Sequence, residues 1–153
     1  MNEISAIGLF CEDIREEKSG SLSLIGVLGD TLAVPDFPGA MPKIGTYVRI
    51  NLSTEIIINE FNINLKIDEN NIVNITKISK DLINKSIYDT KALGNNISGI
   101  YSHTIFSPFP VNKPGRIILM LNWDGGEIIL GSLNFIKAEN AEDVETVTIS
   151  PTA

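Results

Sequence analysis

A chain of 153 residues with 43% hydrophobic and 20% charged residues has the size and composition of one folded domain, not of a disordered segment. Its formal net charge of −7 repels nucleic-acid phosphates and anionic membranes, which argues against both as partners. One cysteine excludes an internal disulfide. The first ten residues lack a signal peptide's basic and apolar regions, and no apolar run approaches the roughly 20 residues of a membrane helix. A cytoplasm-like place of synthesis is the expectation.

The two commonest residues are isoleucine, whose branched Cβ favours strands, and asparagine, which favours turns. An AT-rich genome would produce the same bias. In chain order, residues 5–10 read as a first strand. A charged knot follows, with Glu12, Asp13, Arg15, Glu16, Glu17 and Lys18, and it reads as the exposed turn of an N-terminal hairpin. Gly20 releases the chain into a second apolar strand over 21–28. Residues 30–42 carry Pro35, Pro38, Gly39 and Pro42 and predict an extended connection without an element of its own.

Residues 44–52 form a third strand, which 55–59 either extend or follow as a short strand. From 61 to 68, Phe61, Ile63, Leu65 and Ile67 alternate with Asn62, Asn64, Lys66 and Asp68. That period of two predicts a half-buried antiparallel strand. A turn at Glu69, Asn70 and Asn71 leads to its hairpin partner, 72–78. Residues 80–93, with Leu82, Ile83, Ile87 and Tyr88, are the one helix candidate, and Gly94, Asn95 and Asn96 form a loop.

Residues 100–111 read as a strand that Pro108 and Pro110 end or confine to an edge. After a turn at 112–115, residues 116–123 are apolar enough to be central and covered on both faces. Asp124, Gly125 and Gly126 signal a tight hairpin through the positive φ that glycine allows. Its partner is 127–136, and an acidic tail from about residue 139 adds a possible last strand over 144–149. Eight or nine strands with regular turn signals predict an all-β fold. The expectation is one antiparallel β-sandwich domain over 1–153, Ig-like or jelly-roll-like, with at most one short helix around 80–93.

Chemistry is sparse. Cys11 ends an apolar run and reads as a buried structural thiol. His103 is the one histidine; it lies in a strand-like run, and no nucleophile motif accompanies it. One His and one Cys do not suffice for a dedicated zinc site. Lys18-Ser19-Gly20 runs in the reverse order of a phosphate loop. Glu12, Asp13, Glu16 and Glu17 lack the alternate spacing of a calcium loop, and the interleaved Arg15 and Lys18 predict local neutralisation. Asp124 reads as a turn residue, and Trp123, Phe106, Phe109 and Phe135 as core. No catalytic, cofactor or metal residue is assigned.

Residues Phe10-Cys11-x-Asp13-Ile14-Arg15-x-Glu17, then Gly20-x-Leu22-Ser23-Leu24-Ile25-Gly26-Val27, and Pro42-Lys43-Ile44 further on, resemble the start of an uncharacterised family of short bacterial and phage proteins. The resemblance spans about the first third of the chain. It implies a small β-rich domain and carries no catalytic residues to transfer.

Three readings follow. The first is a non-enzymatic structural or interaction protein, most specifically a bacteriophage virion component such as a capsid decoration (cement) protein. Its partners would be proteins, a capsid shell or copies of itself, and it would be found in the virion after synthesis in the host cytoplasm. The alternative is a small cytoplasmic bacterial module that binds a protein or small molecule, with the proline-stiffened loops at 30–42 and 107–114 as its surfaces. A metal-dependent hydrolase using Glu12, Asp13, Asp68 and Asp124 comes third.

Overall fold

The alternation between residues 61 and 68 becomes one face of a core. In the computed structural model, which describes residues 3–139, Phe61–Asp68 is a strand that buries Phe61, Ile63 and Leu65 and turns Asn62, Asn64 and Lys66 the other way. In chain order the strands are β1 (Ile4–Glu16), β2 (Leu22–Val27), β3 (Thr31–Val34), β4 (Gly39–Met41), β5 (Ile44–Ser53), β6 (Phe61–Asp68) and β7 (Asn71–Ile78). The helix α1 (Lys80–Ala92) precedes β8 (Ile97–Phe106), β9 (Phe109–Val111), β10 (Gly115–Trp123) and β11 (Gly126–Lys137).

Two sheets form a sandwich. One is four-stranded in the order β2-β1-β5-β8, with every pair antiparallel. The other is five-stranded in the order β3-β11-β10-β6-β7; here β3 lies parallel to β11 and the other pairs are antiparallel. Between them pack Ile44, Val48, Ile50 and Leu52 from β5 and Phe61, Ile63, Leu65, Leu119, Leu121 and Leu133 from the opposite sheet. A two-stranded ribbon of β4 and β9 adds Phe109, which stacks on Phe135 with centroids 6.1 Å apart.

The helix begins where Ser79 caps it, its Oγ accepting from the Leu82 amide at 3.3 Å. It carries the chain from β7 in one sheet to β8 in the other. It buries Ile83 in the core and packs against β8, where the Ser86 and Thr90 hydroxyls meet buried Ser98 at 2.6 and 3.0 Å.

Several expectations change. Residues 30–42 hold two short strands, β3 and β4. Their partners β11 and β9 lie some 70 to 100 positions away, so the local sequence could not announce them. Residues 55–59 form a turn and loop, not a strand. The run 100–111 divides into β8 and β9, with the break at Ser107-Pro108. β10 is central, but while one of its faces is buried through Ile117, Leu119 and Leu121, Ile118, Met120 and Asn122 on the other are only half covered. That outward face carries an asparagine network. Asn74 Nδ2 donates to Asn64 Oδ1 at 2.9 Å, and Asn64 Nδ2 donates to Asn122 Oδ1 at 2.8 Å. The turn at Asp124-Gly125 is as expected, yet neither Gly125 nor Gly126 has positive φ. Glycine is needed at 125 for space, because a Cβ there would lie 2.8 Å from the Trp123 indole nitrogen. The possible strand at 144–149 and the acidic tail from residue 140 onward lie outside the described residues.

Candidate docking face

β1 is longer than the sequence suggests, and its second half makes the site. The charged knot is not a turn: Glu12, Asp13, Arg15 and Glu16 lie on β1 itself, and the turn is confined to residues 17–21. The expected local neutralisation is absent too. Asp13 pairs with Lys43 at 3.6 Å, and Glu16 Oε1 sits 3.6 Å from His103 Nε2. Arg15 and Lys18 form no ion pair among the described residues.

Since His103 is on β8 and β5 separates β8 from β1, the Glu16 contact means that the outer end of the β1–β2 hairpin crosses over the sheet. Gly45 on β5 permits the crossing. A Cβ at Gly45 would meet Cys11 Sγ at 3.0 Å and the Ile14 side chain at 3.1 Å. Under this arm lies a groove of about 340 Å³. Leu22 and Leu24 form its wall, and Tyr47, Arg49 and Tyr101 form its floor.

The register aligns Ile7, Arg49 and Tyr101 across β1, β5 and β8, and next to them Leu9, Tyr47 and His103. Large apolar side chains on this sheet stand in solvent: Ile7 is 57% exposed, Tyr101 55% and Val27 54%. Tyr47 and Tyr101 stack at 6.4 Å. Arg49 is exposed and pairs with no carboxylate among the described residues; its guanidinium lies over Gly99, 3.1 Å from where a Cβ would be. A sheet face turned to water is normally polar, and the outer face of the other sheet combines its asparagines with Ile72, 58% exposed, and Ile129, 65% exposed. A contiguous apolar face with tyrosine and arginine has the composition of an interaction surface.

The residues singled out from sequence fall elsewhere or play minor parts. Cys11 is fully buried, its thiol 3.7 Å from the Gly45 carbonyl oxygen. Burial pushes its pKa up from 9.0, and the Asp13 carboxylate adds to this, against a backbone hydrogen bond from Asp13 that lowers it. His103 is a half-buried strand residue that the Glu16 carboxylate approaches to 3.6 Å. Asp124 accepts a 2.9 Å hydrogen bond from Asn59, and Asp68 is 3.8 Å from Lys113. The four carboxylates named for a hydrolase are not brought together. Among the described residues no cluster of three or more His, Cys, Asp or Glu could hold a metal. Trp123 packs edge-on against Phe61 at 6.0 Å, as core. A larger hollow of about 540 Å³ lies at one end of the sandwich, between Ile56–Ile58 and Trp123–Gly125. Asp124, one of its polar groups, is already engaged by Asn59.

Sequence reading passed over Tyr47, Arg49 and Tyr101. Their signal is parity: Tyr47, Arg49 and Asn51 alternate with Val48, Ile50 and Leu52, which are buried, so the first three must face outward. No curated protein matches the chain. A family model matches residues 6–136, nearly all the described length, and the chain belongs to that family, DUF6941, a family of unknown function.

Proposed function

We infer that this is a non-enzymatic structural or interaction protein whose working surface is the outer face of the four-stranded sheet, under the β1–β2 arm. The observation that carries the reading is the exposure of Ile7, Leu9, Val27, Tyr101 and Ile105 on that sheet. Burying such residues against a partner would remove apolar area from water at about 25 cal/mol per Å². The finer form of the reading is a component of a larger assembly, most specifically a bacteriophage virion protein such as a capsid decoration protein. A sandwich with exposed apolar side chains on an outer sheet face suits repeated attachment to a symmetric shell. Size separation of extracts from the source cells, or of particles they release, tests this reading. It expects the protein in a high-mass fraction, at fixed stoichiometry with another protein. Recovery as a free monomer alone would overturn it.

A further inference from the structure

We propose that the groove beneath the arm takes an extended, carboxylate-bearing peptide segment, which adds as a strand to the free edge of β2. The proposal rests on the docking-face reading and specifies the partner's chemistry. Four strands lie at the edges of the two sandwich sheets. β3 is four residues long, β7 carries Lys77 and two register irregularities beside β6, and β8 has α1 packed against it. Short length, charge and bulges are the devices that keep an edge from pairing. β2 has none of them: Leu22–Val27 reads LSLIGV, with no charged side chain, no proline and no register shift against β1. It pairs with β1 alone, so its other edge presents unsatisfied backbone donors and acceptors.

Leu22 and Leu24 of this strand form the groove wall, so a segment hydrogen-bonded along β2 would lie over Tyr47, Arg49 and Tyr101. Alternate side chains of an added strand point to the same face. Those facing the floor would meet two tyrosine rings and one guanidinium. In a chain of net charge −7, Arg49 is a cation without a carboxylate partner among the described residues, and its cross-strand neighbours Ile7 and Tyr101 carry no charge. A carboxylate on the incoming segment fits it, and Arg–carboxylate pairing at such a site is charge-assisted and directional.

The test is selection from a display library of random heptapeptides on the immobilised full chain, with melting temperature as the control for folding. The expected result is enrichment of peptides with an Asp or Glu flanked by β-branched or aromatic residues. Their affinity should fall at least tenfold on Arg49→Glu, while that variant selects Lys- or Arg-bearing peptides instead. N-methylation at alternate amides of an enriched peptide should abolish binding in one phase and spare it in the other, as strand pairing requires. Acid preference unchanged by Arg49→Glu, or tolerance of N-methylation in both phases, would overturn the inference. Peptides without acid that depend on Tyr101 alone would overturn it and leave the docking face standing. A concentration-dependent dimer lost on Tyr101→Glu would name a second copy as the occupant and overturn it likewise. Failure to select any peptide would also overturn it, and the docking face would then stand or fall on recovery of the native assembly.

Discussion

Gly131 and Gly8 bring the two sheets to backbone contact: a Cβ on Gly131 would lie 3.0 Å from the Gly8 carbonyl oxygen. A Cβ on Gly8 would in turn be 2.7 Å from Leu119 Cδ2 and 2.8 Å from Leu130 Cβ. β1 and β11 can therefore face each other this closely only where both strands lack side chains. Gly131→Ala must move backbone, and Gly8→Ala must move two core leucines. Each should cost about 1–3 kcal/mol as overpacking. Urea unfolding followed by tryptophan fluorescence of Trp123 measures it, with the midpoint falling and the slope unchanged.

The helix should be held more by its one buried anchor than by its cap. Ile83 is fully buried where α1 meets the core, so Ile83→Ala should cost about 2–5 kcal/mol. Ser79→Ala removes one hydrogen bond to an exposed helix end and should cost about 1 kcal/mol. Comparing the two in the same unfolding series checks the ranking.

The buried thiol gives a pH dependence of defined sign. Burial keeps Cys11 protonated in the native state at pH values where the unfolded chain's thiol has ionised. Above about pH 9.0 the unfolded state therefore binds fewer protons, and stability falls as pH rises towards the raised native value. Below that window Cys11 contributes no slope. The Cys11→Ala variant should lose this alkaline component while keeping whatever slope other groups produce. Unfolding free energy measured from pH 7 to pH 10.5 in both proteins tests this. Parallel curves would contradict it.

What the sequence revealed and what it hid follow a physical division. The β6–β7 hairpin was legible because Phe61, Ile63 and Leu65 alternate with polar residues and the partner strand follows after two turn residues. The helix was legible from the spacing of Leu82, Ile83 and Ile87, although its start depends on the Ser79 cap. β3 and β4 were not legible, since each is short and exists through pairing with a distant strand. The docking face was hidden for a related reason. Outward parity could be read for Tyr47 and Arg49, but their pairing with Tyr101 needs the β5–β8 register, and their meeting with Leu22 and Leu24 depends on the arm crossing β5 over Gly45. The charged knot drew attention to the right segment and suggested the wrong shape. Its acids approach Lys43, just before β5, and His103 on β8, and the course of the arm matters more than the charges themselves.

If the outer face of the four-stranded sheet is where this protein meets its partner, a charge placed at Tyr101 must disrupt the meeting, and Tyr101→Glu places one there. Tyr101 is exposed, so the substitution should leave the melting temperature within a few degrees of the wild type. The measurement is the fraction of protein recovered in the high-mass assembly from source cells expressing either form. Tyr101→Glu should lower that fraction at least tenfold; equal recovery of the folded variant and the wild type would put the partner's contact elsewhere on the molecule.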